Sequence, residues 1–355
     1  MSTETFPGSP EPSEQDIKLQ EKISKNLLWF GIFSIIMLFA GITSGYLVAK
    51  DSSYWVDFTL PTYFMWSCAA VITSSGLLYL ATVLIKKNNR FAATTMVGIS
   101  LILGMTFGLT QLNGFLEMSG QGKAIRANIV NLQGRYGEHF MLIKDGKEIT
   151  FDGVDYFLQG EQLNDEQLVE LKTFLKQFLN IKTEEARNIV DYGKYILEYK
   201  GQPITYLNDR LELEDLSLSP DQKTKLYHFS EAIISGRGDF YMIGEYGKDF
   251  TVKYKGEPLE YTNRKFYRNG QQISPLMSSD LSGAPNRTSQ FVLAFVVVHG
   301  AHWLAGIIVL IVLLVNTLRN KYSSTNFTGL KVGSIYWHFL GILWLYLYAF
   351  LNFIH

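Results

Sequence analysis

The sequence predicts an all-α polytopic membrane helix bundle of five transmembrane helices, carrying an inserted α+β extramembrane domain. Two observations predict the bundle and one predicts the insertion. Five apolar segments each reach the roughly 20 residues that a helix needs to cross a hydrocarbon core. These segments form two groups, near the two ends of the 355-residue chain. The polar block between the groups repeats one strand-and-turn pattern three times, which is typical of an internal supersecondary repeat.

The predicted domains follow from these segments. The first residues are rich in Ser, Pro and Glu and lack the apolar core and cleavage site of a secretory signal, which indicates a solvated tail. The predicted domains are a flexible cytoplasmic tail at 1–24, transmembrane helices one to three at 25–117, a periplasmic insertion at 118–287, and transmembrane helices four and five at 288–355.

Basic residues set the expected orientation of the five spanning segments, which are 26–49, 59–85, 91–116, 290–317 and 332–354. They precede the first segment and fill the loops that join the second to the third and the fourth to the fifth: Lys18, Lys22, Lys25, Lys86, Lys87, Arg90, Arg319, Lys321 and Lys331. The positive-inside rule makes their side cytoplasmic. The N-terminus is therefore expected inside, and the short loop 50–58, the insertion and the C-terminus outside.

The insertion is predicted to contain three copies of one unit. Each copy opens with a Tyr-Gly pair, at Tyr136, Tyr192 and Tyr246. A β-hairpin follows in each, because alternating apolar positions flank a glycine turn, at Gly146, Gly201 and Gly256. A further turn is predicted at Asn269-Gly270. Amphipathic helices are expected near 165–179 and 220–234, whereas the third hairpin is expected to run into a Ser/Pro/Gly linker.

Composition excludes several classes of function. The net charge of −1 argues against nucleic acid as a partner, since that requires a basic face. The single cysteine, Cys68, excludes a disulfide framework or thiolate cluster within one chain and is interpreted as a small buried residue. The insertion's His139 and His228 lack ligand spacing. Its tyrosine-rich character favours contact with another protein, and the alternative is a folded insertion without a partner.

Two histidines on the fourth spanning segment form the candidate site. His299 and His302 lie three apart, so they share one helical face, and an imidazole within a bilayer is costly unless it faces protein, water or a ligand. From one face they do not grip a heme between them, and His338 on the last helix approaches them only marginally. Hydrogen-bonded structural histidines are the favoured interpretation, and heme or copper ligation is the alternative. On the third helix, Gln111 lies at the depth of His299, which predicts a contact, while Glu117 is expected near the headgroups.

Four motifs resemble cytochrome c oxidase subunit III. His299-Gly300-Ala301-His302 with Gly306 resembles the family's HGxHxxxG signature, and Trp337-His338 followed by Trp344 and Tyr348 is similar to its closing WHFxDxxWLFLY helix. The third helix, with Gln111 and Glu117, resembles LGxxFxxxQxxEYxE, and Leu60-Pro61 with Ser74-Ser75 resembles the family's LP…SS helix. The resemblance spans all five segments in order.

The resemblance implies a non-catalytic subunit III of a respiratory heme-copper terminal oxidase in a bacterial inner membrane. Such a subunit packs against subunit I (and II), holds structural phospholipid and supports proton-coupled oxygen reduction; heme and copper reside in partner subunits, and none is expected here. The insertion 118–287 has no counterpart in the family pattern. We expect it to dock a quinol–cytochrome c reductase-type complex, as in a supercomplex, or cytochrome c. The alternatives are a small membrane cytochrome or transporter that uses its intramembrane histidines, and a ligand sensor.

Three positions depart from the family pattern. Ile35 and Gly114 stand where buried glutamates are usual, and Gly341 stands in place of the aspartate of the closing helix. The roles of those acids in lipid contact or proton collection are therefore not transferred to this chain.

Overall fold

The helices account for most of the chain. The computed structural model describes residues 14–123, 128–182 and 188–353. Within these ranges the helices are α1 Glu14–Ser52, α2 Thr62–Lys86, α3 Arg90–Gly120, α4 Asp165–Lys176, α5 Pro220–Ile234, α6 Pro275–Gly283, α7 Arg287–Leu318 and α8 Thr328–Phe353. Five of them, α1, α2, α3, α7 and α8, are long and apolar enough to cross a membrane. This confirms the predicted helical membrane bundle with an inserted, sheet-containing region.

The strands are short and come in groups. They are β1 Tyr54–Phe58, β2 Phe140–Lys144, β3 Lys147–Phe151, β4 Tyr156–Leu158, β5 Glu161–Gln162, β6 Tyr195–Tyr199, β7 Gln202–Pro203, β8 Thr205–Leu207, β9 Arg210–Leu213, β10 Leu216–Ser217, β11 Phe250–Tyr254, β12 Glu257–Pro258, β13 Glu260–Thr262, β14 Lys265–Arg268 and β15 Gln271–Gln272. Apart from β1, each follows one of the predicted Tyr-Gly pairs, and each group of strands ends in a helix, α4, α5 or α6.

The chain divides into two compact units. We call the first the helical unit; it comprises the described residues up to Leu47, then Leu60–Leu116, then the described residues from Phe291 onward. The second, the sheet unit, comprises Val48–Thr59 and Glu117–Gln290. The predicted insertion at 118–287 thus lacks a segment that the sheet unit includes, Val48–Thr59.

Helix α1 begins earlier than expected. It starts at Glu14, so its first turns occupy part of the predicted tail, and Lys18, Lys22 and Lys25 lie within the helix rather than before it. The stretch from Glu14 to Lys25 contains no Pro or Gly and is rich in Glu, Lys and Gln, which favour helix. Residues 1–13 of the predicted tail, and the end of the fifth predicted span, lie outside the described residues.

Four of the hairpin turns lie at the predicted glycines. In each, two residues with positive φ connect the strands, as in a type I′ turn. The pairs are Asp145-Gly146 at 49° and 76°, Lys200-Gly201 at 51° and 81°, Lys255-Gly256 at 50° and 81°, and Asn269-Gly270 at 51° and 74°. Glycine is the residue that adopts this region at no steric cost, so the turn positions are readable from the sequence.

The strands form one large and three small antiparallel sheets. Pairing of β2 with β6 joins the first two groups into a six-stranded sheet of order β5-β4-β3-β2-β6-β7. The third group pairs differently, because β11 lies beside β1, from Tyr54 opposite Tyr254 to Phe58 opposite Phe250. The stretch 50–58 is therefore not the simple loop that the sequence predicts.

A helix replaces the predicted linker after the third hairpin. Ser274 caps α6, with its hydroxyl accepting from the Met277 amide at 3.2 Å, and Pro275 occupies the first turn. Leu281 of this helix is buried. Serine and proline, read from the sequence as signs of a linker, here begin a helix. The third group therefore consists of strands followed by a helix, as the first two groups do.

The tyrosine of each Tyr-Gly pair binds the main chain of its own hairpin. The hydroxyls of Tyr136, Tyr192 and Tyr246 donate to the carbonyls of Ile149, Ile204 and Leu259 over 2.5, 2.8 and 2.6 Å. Burial raises the pKa of all three phenols, that of Tyr246 to about 12. The phenols are therefore neutral donors, which satisfies a buried hydroxyl in each hairpin.

Candidate functional site

His299 lies at the centre of the helical unit. Its side chain is 2% exposed, and its Nε2 is 3.2 Å from the main-chain oxygen of Leu340 on α8. A carbonyl oxygen only accepts, so Nε2 carries the hydrogen in this bond. The imidazole is surrounded by the rings of Phe39 on α1, Phe107 on α3 and Trp344 on α8, at centroid distances of 6.5, 5.7 and 5.2 Å. Four helices meet at this one side chain.

His302 shares the face of His299 but not its burial. Its Nδ1 is 2.7 Å from the main-chain oxygen of Val298, one turn back on the same helix, and the side chain is half-buried. Its ring lies 6.0 Å from that of Phe39, which both histidines contact. The two histidines therefore lie on one face of the helix, as their separation of three residues predicts. The His302 ring nitrogen, however, bonds within its own helix and does not connect α7 to another helix.

The predicted contact between Gln111 and His299 is wrong. The Gln111 amide instead donates to the hydroxyl of Ser67 on α2, over 2.8 Å. The indole of Trp344 donates to the same hydroxyl, also over 2.8 Å, and the hydroxyl donates to the carbonyl of Phe64 at 2.6 Å. Matching depth in the membrane does not fix which way a side chain points around its helix, so Gln111 reaches His299 only through Ser67 and Trp344.

Two tryptophan–serine hydrogen bonds join α8 to α2. The Nε1 of Trp337 donates to Ser74 Oγ at 3.0 Å, two turns away from the Trp344–Ser67 pair. The tryptophans and the serines are each seven residues apart, so each pair lies on one face of its helix, and the two helices run antiparallel. Ser74 also exchanges two hydrogen bonds with Ser100 on α3, over 2.9 and 3.0 Å, each hydroxyl binding the other's carbonyl. Both buried indole N–H groups are satisfied in this way.

Ser67 and Ser100 form contacts between helices that the sequence does not point to directly. A signal for Ser67 exists, because the seven-residue spacing of Trp337 and Trp344 matches that of Ser67 and Ser74. Only the structure shows that the two tryptophans lie opposite the two serines.

Glycines let the aromatic rings approach the neighbouring helices. A Cβ on Gly306 would lie 2.8 Å from Leu340 and 3.0 Å from the Trp337 ring, so α7 and α8 contact closely there. A Cβ on Gly108 would lie 2.1 Å from the ring of Trp303. Real Cβ atoms do not approach this closely, and larger residues at either position require the helices to separate.

At two of the three positions that depart from the family pattern, Gly114 and Gly341, side chains of α2 pack against the glycine. A Cβ on Gly114 would lie 2.9 Å from the Phe64 ring, and one on Gly341 would lie 3.1 Å from Val71 and 3.3 Å from the Ser75 hydroxyl. Neighbouring side chains therefore fill the space where a carboxylate would have to stand. The two departures are built into the packing of α2 against α3 and α8.

The remaining predicted site residues do not join this cluster. His338 is half-buried, and its Nε2 is 2.9 Å from the Ser334 hydroxyl on its own helix. Tyr348 is half-buried. Glu117 belongs to the sheet unit, where its carboxylate accepts from the Gln121 amide at 3.1 Å. Among the described residues, no three His, Cys, Asp or Glu side chains lie together as a metal-binding group.

The arrangement is suited to holding helices together. The hydrogen bonds between helices described above use a neutral donor, imidazole, indole, amide or hydroxyl, and an oxygen acceptor. Such bonds within a membrane contribute about 0.6–2 kcal/mol each. Together with the aromatic rings and the glycine contacts, they explain why these residue types occur here without assigning them chemistry.

Comparison with known proteins identifies the region that supplies the histidines and the two tryptophans of this cluster. The profile of the family Cytochrome c oxidase subunit III matches residues 280–354. Cytochrome c oxidase subunit 3 of Spodoptera frugiperda is 38% identical over 50 residues, covering 14% of this chain and 34% of that protein, and that of Drosophila yakuba is 40% identical over 50 residues, covering 14% and 19%. A Nocardia farcinica protein named Probable cytochrome c oxidase subunit 3 is 38% identical over 56 residues, covering 16% and 28%.

The chain thus spans about a third or less of the length of the curated relatives it matches. No solved structure is significantly similar to it. The matched region nevertheless contains both helices of the histidine and tryptophan motifs, α7 and α8. Through this C-terminal region, residues 280–354, the chain is similar to the cytochrome c oxidase subunit III family.

Proposed function

We propose that this chain is the non-catalytic subunit III of a respiratory heme-copper terminal oxidase. It packs against subunit I (and II), holds phospholipid and supports proton-coupled oxygen reduction by those partners. The observation that carries the proposal is the family match over 280–354, whose signature side chains His299, Trp337 and Trp344 all form contacts between helices. A scaffold subunit requires this use of its polar residues, whereas a cytochrome requires histidines with a ring nitrogen directed at a metal.

The proposed location is a bacterial inner membrane. The N-terminus lies in the cytoplasm, and the sheet unit and C-terminus lie in the periplasm. The basic residues at the ends of the spanning helices support this orientation, because Lys86, Lys87 and Arg90 separate α2 from α3, and Arg319 and Lys321 separate α7 from α8. The bacterial relative from Nocardia farcinica supports the choice of membrane.

Helix α1 supplies the proposed lipid contact. Its side chains Leu27, Phe30 and Phe33 are 72%, 76% and 65% exposed in the isolated chain, which is costly in water and favourable against acyl chains. An apolar groove of about 500 Å³ lies along this helix between Asn26 and Ile36. Its size and apolar lining suit the tail of a phospholipid.

We further propose that the sheet unit arose from three copies of one unit and docks a second respiratory complex or an electron donor. The shared element order and the three tyrosine hydroxyl bonds support common origin. The choice of docking partner rests on the proposed periplasmic side, where such donors approach. The alternative, a folded insertion without a partner, makes the opposite prediction in the deletion experiment below.

Purification of the tagged full chain in a gentle detergent tests the subunit assignment. We expect heme-containing oxidase subunits to co-purify, and the chain separated from them to be colourless. A solitary chain with a heme Soret band would contradict the proposal, and loss of that band in a His302→Ala variant would assign the histidine as a ligand. A His299→Leu variant tests the packing role of the same helix face. It removes the hydrogen bond to Leu340 between α7 and α8 and should reduce recovery of the partner subunits.

Deletion of residues 120–285 tests the docking role. Because β1 pairs with β11, the deletion exposes Trp55 and Val56, which are both fully buried in the intact chain. The deletion variant therefore also carries Trp55→Ser and Val56→Thr, and the intact chain without substitutions is the control. We expect the oxidase to assemble with its hemes but to lose donor turnover or association with the second complex. Unchanged turnover and association would refute docking while leaving the subunit assignment intact.

A further inference from the structure

A buried aspartate holds two arginines together in the sheet unit. The Asp239 side chain is 2% exposed and accepts from Arg135 Nε at 2.9 Å, from Arg264 Nε and Nη2 at 2.8 and 2.6 Å, and from the Tyr261 hydroxyl at 2.5 Å. Both carboxylate oxygens are thereby used. Each arginine also binds the main chain beside the other, because Arg135 Nη2 donates to the Arg264 carbonyl at 2.6 Å and Arg264 Nη2 donates to the Tyr136 carbonyl at 2.8 Å. Hydrogen bonds within the cluster thus fix the positions of both arginines. The proposed role as an oxidase subunit does not account for this cluster.

The charges in this cluster do not cancel. Burial opposes ionisation of Asp239, but the hydrogen bonds from Arg264 and the charge of Arg135 hold the pKa of its carboxyl below the usual range. Asp239 is therefore a carboxylate at neutral pH. One negative charge faces two guanidinium groups, which leaves a net charge of +1.

A cavity opens beside the cluster. It has a volume of about 230 Å³, and its polar lining consists of Arg135, Arg264, Lys265, Gln272, Ser278 and Ser282. Apolar side chains complete it, and none of the described residues that line it is an acid. With Lys265 added to the cluster, the net charge facing the cavity is +2. A dianion of small size complements this charge.

The other groups of strands do not have arginine at the positions that correspond to Arg135 and Arg264. Arg135 precedes the first Tyr-Gly pair, and Asp191 and Glu245 precede the other two. Arg264 is the second residue of the turn between β13 and β14, and Asp209 is the second residue of the corresponding turn between β8 and β9. Each arginine thus stands where another group has an acid, although the corresponding turn of the first group, between β3 and β4, has Gly153 as its second residue.

We propose that this cavity binds a small phosphate-bearing anion. Asp239 and main-chain carbonyls occupy the Nε and Nη2 groups of both arginines. The Nη1 groups of the two guanidinium ions, together with the lysine ammonium and the serine hydroxyls of the cavity, are therefore the donors for phosphate oxygens. A phosphate group carries about −1.5 to −2 charges at pH 7, which matches the cavity better than one carboxylate does. Pockets for drug-sized ligands have about 300–1,000 Å³, so the cavity holds a single phosphate group and little more.

The test is binding of inorganic phosphate to the full-length chain in detergent, measured by equilibrium dialysis with radiolabelled phosphate. Lys265→Gln removes one charge from the cavity without touching the Asp239 cluster, and Lys265 is exposed, so the fold should persist. We expect binding to weaken about tenfold, the loss typical of one charge-assisted hydrogen bond. Arg210→Gln is the matched control, because Arg210 is exposed and begins β9 as Lys265 begins β14. It should leave the affinity unchanged.

Two sources supply phosphate chemistry, and the lipid environment separates them. Binding is repeated in nanodiscs of phosphatidylcholine alone and in nanodiscs that also contain phosphatidic acid, whose phosphomonoester can carry two negative charges. Competition by phosphatidic acid identifies a lipid headgroup as the natural occupant, and equal affinity in both identifies a free anion. Absence of saturable binding in every condition, or an equal loss in the Lys265→Gln and Arg210→Gln variants, would overturn the proposal. None of these outcomes depends on whether the chain is an oxidase subunit.

Discussion

The helical unit and the sheet unit bury polar groups in different ways. In the helical unit the interior uses neutral donors, such as the His299 imidazole and the Trp337 and Trp344 indoles, each bound to an oxygen on another helix. In the sheet unit the interior uses charge, with Asp239 held between two guanidinium groups. The guanidinium groups keep contact with water, since the Arg135 and Arg264 side chains remain 21% and 24% exposed. Neutral hydrogen bonds therefore serve where lipid surrounds the unit, and ion pairs serve where water reaches their edges.

The units also differ in how their elements come close. Helices approach where a side chain is missing, as at Gly108 beside Trp303. Hairpins are fixed where a side chain is present, as with the Tyr136 hydroxyl that binds the carbonyl of Ile149. Substitutions should therefore act locally and by different mechanisms in the two units.

The largest effect is expected from Arg264→Leu. It leaves the buried Asp239 carboxylate with one guanidinium instead of two, and breaking a buried ion pair costs about 3 kcal/mol. Amide hydrogen exchange should accelerate roughly a hundredfold in residues 128–182 and 188–290 and stay unchanged in α7 and α8. Arg210→Leu is the surface control. Equal acceleration in both units would show that the charge cluster does not act on the sheet unit alone.

Gly108→Ala should have the next largest effect. The added methyl group overlaps the Trp303 ring, and overpacking of this kind costs about 1–3 kcal/mol. Thermal unfolding in detergent should shift to lower temperature. Gly300→Ala is the control, because a Cβ there meets nothing within 4 Å, and it should be neutral or slightly stabilising through helix propensity. A neutral Gly108→Ala would mean that Trp303 moves freely, contrary to close packing of α3 on α7.

Ser67→Ala should destabilise the helical unit by about 1 kcal/mol. It removes the common acceptor of Trp344 and Gln111. The indole fluorescence of Trp344 should change with the loss of its partner. Thr73→Ala, on the same helix but exposed and bound only to its own backbone at Ala69, is expected to be silent. If the two variants behave alike, the tryptophan–serine bonds contribute nothing beyond burial.

The smallest effect is expected at Glu170, the surface counterpart of Asp239. Hydrogen bonds from Lys194 and Lys144, the latter at 2.9 Å, lower the pKa of its carboxyl from 4.5 to about 2. Because the folded value is the lower one, this stabilisation is full above pH 4.5 and is lost as the pH falls toward 2. Solvent screening limits it to about 0.5–1 kcal/mol.

Glu170→Gln should therefore lower stability slightly at pH 7 and flatten the pH dependence of sheet-unit unfolding between pH 4.5 and 2. Denaturant titration followed by hydrogen exchange measures both. Glu214→Gln, at an exposed hairpin turn, controls for the change of net charge. A pH profile that the Glu170 substitution leaves unaltered would place the acid sensitivity elsewhere.

Local features were predictable from the sequence and relations between distant segments were not. Glycine turns such as Gly146 and Gly256 are readable, because the backbone itself demands φ > 0 there. Apolar length likewise identifies all five spanning helices. The capped start of α6 at Ser274 was readable in principle, but serine, proline and glycine also mark linkers, so composition alone misassigned it.

The candidate site was predictable only in its membership. Sequence motifs single out His299, Trp337 and Trp344, but the partners of these side chains depend on how each helix is rotated about its axis. Depth along the membrane therefore led to a mistaken partner for Gln111. Asp239 gives no signal in the sequence, since its two arginines lie 104 and 25 residues away along the chain.

The pairing of β1 with β11 has a consequence for biosynthesis. Phe58 leaves the ribosome long before its partner Phe250. At about 5–20 residues per second, the first strand waits roughly 10–40 s with Trp55 and Val56 lacking the strand that will cover them. An unpaired apolar edge over that interval is a site for chaperone capture or premature aggregation. Folding of the sheet unit is thus timed by translation, and codon usage or ribosome pausing between the two strands becomes a determinant of yield.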